Sequence, residues 1–357
     1  MKRVKRIIGH RLFFPAILLL GVLVVNILVN KDFFNLQFRE VTPGYGPLLL
    51  GYLPDILHFG SQLVIVTLGM TLVTSANGGQ DISVGATMTI AASFCGLLLN
   101  GPLYRTEVFA HPLLLALFVG LLGGALCGAF NGFLVAFLRI QPMIATLVLF
   151  TAGRSLSKLI THGQAVYIMN PVYKWLGFQL PGVPITTTII VTVLMITLVT
   201  VILKFTSLGL YIQSVGDNAS ASRLVGLNSK AIKFIAFVLC GILAAVAGLM
   251  GSSAVGKVES NELGLGIELN AILAVALGGN MLGGGKFNLA GSIIGAYTVQ
   301  VITTTLLNMN VRADQLNAYK AVIIALIIVA NSEGFRRKFR TLTVKLKLTR
   351  RKTQEGS

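Results

Sequence analysis

Ten apolar stretches decide what this chain can fold into. They lie near residues 12-30, 56-76, 82-99, 112-138, 142-160, 186-203, 231-254, 267-281, 288-308 and 317-331. A helix needs about 20 apolar residues to cross hydrocarbon, and fewer when it is tucked inside a bundle. Inside a bilayer every backbone N–H and C=O must find its partner within the protein. The expected fold is therefore an all-α integral membrane protein with about ten transmembrane helices. Composition agrees. Hydrophobic residues make up 54% of the chain and charged residues 11%, against about 25% charged in an ordinary soluble domain. The mean hydropathy is +0.81. A soluble reading would need a core larger than a chain of this length builds.

The formal net charge of +17 resembles a nucleic-acid signal, but its distribution argues otherwise. Most of it lies in residues 1-6 and 336-352, beside apolar segments. That is the positive-inside signature, and its partners are anionic lipid headgroups, not nucleic acid. Ten spans place both termini in the cytoplasm. The segments then inside carry 19 Lys and Arg, and those outside carry 6. This asymmetry assigns the 204-230 segment to the cytoplasm. The start resembles a signal peptide, but its apolar run is long and has no small-x-small cleavage site. A retained first span is expected. Residues 1-335 form the expected transmembrane domain, and 336-357 a basic cytoplasmic tail. The outer segments 31-55 and 161-185 are long and proline-bearing. Each reads as part of an outer rim or as an unstructured connection.

Residues Gly216 to Asn228 form a polar run between two spans. It holds helix formers, a capping residue near its start (Asn218) and a glycine near its end (Gly226). It reads as a short helix at the membrane surface, able to receive force from a partner, or as a plain interhelical loop. Asp81, next to Ser83, lines a polar path or caps the third span. Arg154 and Lys158 share one face of the fifth span, with Lys158 free to snorkel outward. Glu268 and Asn270 open the eighth span, where an acidic first turn suits the helix dipole.

No catalytic constellation is present in the sequence. His10, His58, His111 and His162 are scattered, with no metal-ligand spacing. Cys95, Cys127 and Cys240 fall in apolar spans and read as small hydrophobes. Gly283-Gly284-Gly285-Lys286-Phe287 lacks the spacing and the hydroxyl of a phosphate loop. No catalytic residue, metal site or cofactor is expected in this chain, and no buried carboxylate relay of a proton-driven carrier. Thirty-nine glycines among apolar residues point to close helix packing. Glycine-rich turns at 77-81 and 283-286 form a weak echo between two halves.

Four ordered motifs carry a resemblance. Asn77-Gly78-Gly79-Gln80-Asp81-Ile82-Ser83-Val84-Gly85 is the first. Asn131-Gly132, followed by Arg139-Ile140-Gln141-Pro142-Met143-Ile144-Ala145-Thr146-Leu147, is the second. The run Gly216 to Asn228 is the third. Glu268-Leu269-Asn270-Ala271-Ile272 with Gly278-Gly279-Asn280-Met281-Leu282-Gly283-Gly284-Gly285-Lys286 is the fourth. The chain resembles the permease subunits of bacterial ABC importers of the ribose, xylose, arabinose and galactose type. Gln80, Asn270 and Asn280-Met281 depart from that pattern.

The resemblance implies a multi-pass permease of the bacterial inner membrane, serving as one half of a sugar channel. It implies a second permease chain, identical or not, and an extracytoplasmic sugar-binding protein. It also implies cytoplasmic ATP-binding subunits that hydrolyse ATP with Mg and dock on residues 217-228. The implied coupling residues are Gly216, Asn218, Ala221, Arg223, Gly226 and Asn228. Candidate path residues are Asn77, Asp81, Ser83, Asn131, Asn270 and Asn280. Hydroxyls within spans, such as Thr87, Thr89 and Ser93, read as path groups or as helix-packing contacts. Open alternatives are a related ABC permease for nucleosides or branched-chain amino acids, an ion-gradient-driven carrier and a membrane-embedded enzyme.

Overall fold

The computed structural model describes residues 12–29, 33–41, 43–100, 111–168, 170–312 and 315–331. The basic cluster 1–6 and the tail 336–357 lie outside the described residues. The chain divides into a unit ending at Val301 and a second unit starting at Ile302.

The first unit runs α1 (Phe13–Val29), β1 (Gln37–Glu40), β2 (Pro47–Leu50), α2 (Tyr52–Asn77), α3 (Val84–Asn100), α4 (Leu113–Ala136) and α5 (Pro142–Ile160). It continues with β3 (Val166–Tyr167), α6 (Pro171–Gly177), α7 (Thr187–Phe205), α8 (Leu208–Asp217), α9 (Ala219–Leu224) and α10 (Ser229–Val255). Next come β4 (Lys257–Val258), α11 (Ile267–Leu277) and most of α12 (Leu289–Asn308). The second unit holds the end of α12 and α13 (Leu316–Asn331). There α12 ends in a turn with Asn310 in the left-handed region (φ 59°), closed by a 3.1 Å bond from Val311 N–H to the Leu306 carbonyl.

A helix occupies each of the ten apolar stretches. Six are long and apolar enough to cross a membrane: α2, α4, α5, α7, α10 and α12. The fold is mostly helical but not wholly so. Segment 31-55 carries an antiparallel hairpin, with Gln37 opposite Leu50 and Glu40 opposite Pro47. Pro43 and the left-handed Gly44 (φ 85°) and Gly46 (φ 84°) turn the chain between its strands.

The segments expected outside meet one another. Leu49 N–H donates to the Pro184 carbonyl at 2.9 Å, and Gly182 N–H to the Tyr45 carbonyl at 2.9 Å. Trp175 Nε1 donates to the Tyr45 hydroxyl at 3.1 Å. Val166 pairs with Val258 across β3 and β4, and Ile168 N–H donates to the Gly256 carbonyl at 2.9 Å. At the opposite helix ends, Gly285 N–H donates to the Ser75 carbonyl at 2.9 Å. Gln80 Nε2 reaches the Leu282 carbonyl at 3.2 Å. Segments assigned to the same side by charge thus gather at the same end.

Helix α10 is the centre of the first unit. Lipid tails are as apolar as leucine, so helices in a bilayer associate through close packing of small residues. Gly120, Gly124, Gly128 and Gly132 recur every fourth residue and share one face of α4. A Cβ on Gly124 would lie 2.5 Å from the Ala245 Cβ, and one on Gly128 2.3 Å from the Phe237 oxygen. On α10 itself, a Cβ on Gly248 would lie 2.3 Å from the Met88 oxygen of α3. A Cβ on Gly69 of α2 would lie 2.9 Å from the Cys240 Cα. The most apolar window of α2 is 78% buried, that of α7 only 17%, so α7 faces outward.

Gly124→Ala is expected to cost about 1–3 kcal/mol through overpacking. Gly21→Ala in α1, where a Cβ meets nothing within 4 Å, is expected to be neutral or slightly stabilising. Thermal unfolding of the two variants in detergent measures the contrast, and equal midpoints would contradict the packing account.

Candidate coupling segment and buried polar clusters

The run from Gly216 to Asn228 folds as the end of α8, all of α9 and the cap of α10. Asn218 acts at both junctions. Its N–H closes α8 on the Ser214 carbonyl at 3.1 Å. Its Oδ1 accepts from Ser220 N–H at 3.0 Å and from Ala221 N–H at 2.9 Å, capping α9. Asn228 Oδ1 caps α10 by accepting from Ala231 N–H at 3.1 Å. Ser222 Oγ donates to the Ser214 carbonyl at 2.9 Å, and Ser229 Oγ to the Ala219 carbonyl at 3.0 Å. The short helix is therefore tied to the helices before and after it.

Gly226 takes φ 85° with nothing within 4 Å of an added Cβ, so conformation and not space selects glycine there. Ala221 and Arg223 are exposed. Leu224 and Val225 are 89% and 77% exposed. Two large apolar side chains standing free beside an arginine suit a docking surface. The sequence reading missed them, although an apolar pair inside a polar run is a legible signal.

Gly216 has a different place from its neighbours. A Cβ there would sit 1.8 Å from the Ser75 oxygen and 2.6 Å from the Gly285 nitrogen. A Cβ on Gly78 would sit 2.7 Å from the Gly283 oxygen, and one on Gly285 2.0 Å from Asp217 Oδ1. The two glycine-rich turns that echoed each other in sequence pack against each other and against the end of α8. At Gly216 and Gly78 the contact is backbone on backbone and at Gly285 it is with the Asp217 carboxylate; together they join the Gly216–Asn228 run to α2 and to the loop between α11 and α12.

Three of the candidate path residues meet in one cluster. Asp81 Oδ1 accepts from Ser83 N–H at 2.9 Å and from the Ser83 hydroxyl at 2.7 Å. Asn131 Nδ2 donates to Ser83 Oγ at 2.7 Å and reaches Asp81 Oδ1 at 3.5 Å. All three are buried. Burial pushes the Asp81 carboxyl above its ordinary range, while the Ser83 and Asn131 hydrogen bonds pull it down. Ile82 N–H donates to Thr146 Oγ1 at 3.2 Å. The cluster caps α3 and holds it to α4 and α5, which is the capping alternative with two further helices attached.

The other candidates stand apart. Asn280 Nδ2 donates to Ser292 Oγ at 2.7 Å, and its Oδ1 accepts from Asn288 N–H at 2.5 Å. Thr71 Oγ1 lies 2.7 Å from Ser292 Oγ, which ties this loop to α2. Asn77 closes α2, donating to the Val73 carbonyl at 3.1 Å. Asn270 is half-buried in the first turn of α11. Arg154 faces protein, donating to the carbonyls of Ser260 at 2.9 Å and Leu263 at 3.2 Å. Hydroxyls link Ser93 to Ser157 at 2.7 Å and Ser157 to Ser260 at 2.6 Å, which ties α3 to α5 and to the segment before α11. Among the described residues no group of His, Cys, Asp or Glu is placed to hold a metal ion.

Residues 52–331 match the family described as "Branched-chain amino acid transport system / permease component". The chain belongs to this family. The match runs from the first residue of α2 to the last of α13. The permease is 37% identical to the galactofuranose transporter permease protein of Escherichia coli, over 89% of this chain and 88% of that one. It is 34% identical to the fructose import permease protein of Bifidobacterium longum, over 91% and 89%. It is also 34% identical to the ribose import permease protein of Escherichia coli, over 78% and 85%. Family and helices together make it a multi-pass membrane permease.

Asn131→Ala is expected to lower stability by about 1–3 kcal/mol, because it strips a partner from buried polar groups. Combining it with Ser83→Ala should cost less than the two separate losses added, since both act on one network. Additive losses in a thermal double-mutant cycle would refute the shared network.

Proposed function

We propose that this chain is the membrane-spanning subunit of a bacterial ABC importer and forms the path for a monosaccharide. The carrying observation is the coupling segment. A capped surface helix presents Arg223, Leu224 and Val225, and its base is fused through glycine contacts to the ends of α2 and α8 and to the α11–α12 loop. Such an element passes the movement of an attached motor to the helices around a path. The chain supplies passage and no chemistry of its own, so separate ATP-binding subunits dock on this segment and hydrolyse ATP with Mg. In this reading Asn218, Ala221, Arg223, Gly226 and Asn228 shape the docking element, and Gly216 joins it to the bundle.

Ten spans with both termini in the cytoplasm agree with the charge asymmetry and with the gathering of outer and inner segments at opposite ends. Residues 1-335 then form the permease domain and 336-357 a dispensable cytoplasmic tail. An extracytoplasmic sugar-binding protein delivers substrate to the rim built from the β1–β2 hairpin and segment 161-185. A second permease chain completes the path, and the outward faces of α4, α5 and α7 meet that chain or lipid. A sugar cargo is supported by the names of relatives that span most of the chain. A neutral solute also fits a chain whose buried polar groups are mainly amides and hydroxyls. The candidate path residues stay Asn77, Asp81, Ser83, Asn131, Asn270 and Asn280, of which Asp81, Ser83, Asn131 and Asn280 also carry contacts between neighbouring elements.

Arg223→Ala and the pair Leu224→Asp, Val225→Asp are expected to cut ATP-dependent sugar uptake tenfold or more and to lose the co-purifying ATPase, with membrane insertion unchanged. Normal uptake in both variants would overturn the coupling assignment. Uptake that survives ATP depletion and collapses with an ionophore would replace the importer with an ion-driven carrier.

A further inference from the structure

A cavity of ≈ 290 Å³ opens beside the coupling segment, between the α4–α5 turn and the start of α10. Its wall carries Arg139, Arg223, Lys230 and Lys233, with Asn77 and Gln141 among the other residues, and no carboxylate. None of the four cations forms an ion pair among the described residues. Like charges converging on one space repel, so the arrangement calls for a counter-anion.

Two further features point the same way. Lys230 and Lys233 sit in the first two turns of α10, whose first turn holds no acidic residue. Cations there oppose the helix dipole, whose positive end already favours an anion. The start of α5, Gln141 and Pro142, also borders the cavity, again with no acidic residue in the first turn and no side-chain cap bond. The cavity thus collects four full positive charges and the positive ends of two long helices. In addition, Arg139 sits at φ 59°, in a helix-ending turn where Ile140 N–H donates back to the Leu134 carbonyl at 3.1 Å. That conformation favours glycine, so the arginine sits there against its backbone preference.

The exposed residues next in sequence to the cavity's wall bear on what carries the anion. Phe137, Leu138, Met143 and Ile144 flank Arg139 and Gln141 in sequence, and they are 45%, 56%, 44% and 58% exposed. Lys230 Nζ lies 5.9 Å from the centre of the Phe137 ring. A free anion would use the cations alone; a phosphate attached to acyl chains uses the cations together with exposed apolar side chains such as Phe137 beside Lys230. We propose that this cavity holds one phosphate-type anion, the headgroup of an anionic phospholipid, bound between the α4–α5 turn and the coupling segment. Because Arg223 belongs to both, the lipid would brace the coupling segment against the bundle. The cytoplasmic depth of the site rests on the orientation proposed above; the anion chemistry does not.

The test compares thermal unfolding of the purified permease in nanodiscs of phosphatidylcholine alone and of phosphatidylcholine with phosphatidylglycerol. The anionic lipid is expected to raise the midpoint by a few degrees. The Lys230→Gln, Lys233→Gln double variant should lose at least half of that shift. Lys204→Gln, a lysine at the end of α7 that does not line the cavity, should keep it. If the double variant does not assemble, the single Lys230→Gln variant, altered at an exposed position, is read in the same way. Equal midpoints in the two lipids, or a full shift in the cavity variants, overturns the site. A full shift produced by millimolar inorganic phosphate in phosphatidylcholine overturns the lipid source. None of these outcomes depends on transport, so they stand apart from any failure of the importer reading.

Discussion

The approach of α10 to its neighbours without intervening side chains is the contact on which the first unit rests. In a bilayer no hydrophobic force drives helix against helix, so attraction must come from the number of atoms in van der Waals contact. Glycine removes the spacer. At Gly124 and Gly128 the backbone of α4 lies directly on α10, at Gly248 α10 lies on α3, and at Gly69 α2 lies on α10. Three neighbours approach one helix this closely because each contact uses a glycine on one side or the other. The large side chains are displaced outward, which is why Leu114, Phe118 and Leu126 of α4 are exposed. They face what surrounds the unit, while glycine holds its interior.

The same device appears at the base of the coupling segment, with a different consequence. Between helices, backbone contact gives cohesion. Between Gly78, Gly216 and Gly283–Gly285 it joins three chain segments that meet end to side. A side chain interposed there would act as a soft spacer able to change rotamer. Backbone against backbone leaves little room for give, and the bond from Gly285 N–H to the Ser75 carbonyl fixes the spacing. A displacement of α8 must therefore be felt by the ends of α2 and by the loop leading to α12.

Local features were legible in the sequence, and pairwise ones were not. Apolar runs fix where helices lie, because the requirement for internal hydrogen bonding acts on each stretch alone. The Asn218 cap, the Gly226 turn and the Asp81 cap were readable for the same reason: each is satisfied within three or four residues. Segment 31-55 left two readings open, and the hairpin it forms is held by partners at Gly182 and Pro184, far along the chain. The alliance of Asp81 and Ser83 with Asn131, the glycine register of α4 on α10 and the four cations around one cavity need knowledge of which helices are neighbours. Asn131 shows the limit plainly. As a polar residue in an apolar span it read as a path group, and only its distance to Ser83 shows that its donor also ties α4 to the start of α3. Likewise, the two glycine-rich turns read as an echo of repeats, and the structure shows them as the two sides of one contact.

The stability of α9 bears on the role proposed for the Gly216–Asn228 run. Six residues are too few for a helix to hold in water by itself, since nucleation costs more than so few hydrogen bonds return. Here the cost is offset from outside. Asn218 satisfies two of the first free N–H groups, Gly226 N–H closes the far end on the Arg223 carbonyl at 3.0 Å, and Ser222 and Ser229 tie the helix to α8 and to the helix that follows. A helix stabilised in this way melts only if its ties to α8 and α10 break. In the proposed role, a partner pushing on Leu224 and Val225 would meet a solid corner, and its push would be delivered to α8 and α10 rather than absorbed by local unfolding. Since α10 is also the helix on which α2, α3 and α4 are packed, the shortest described helix is tied directly to the helix at the centre of the first unit.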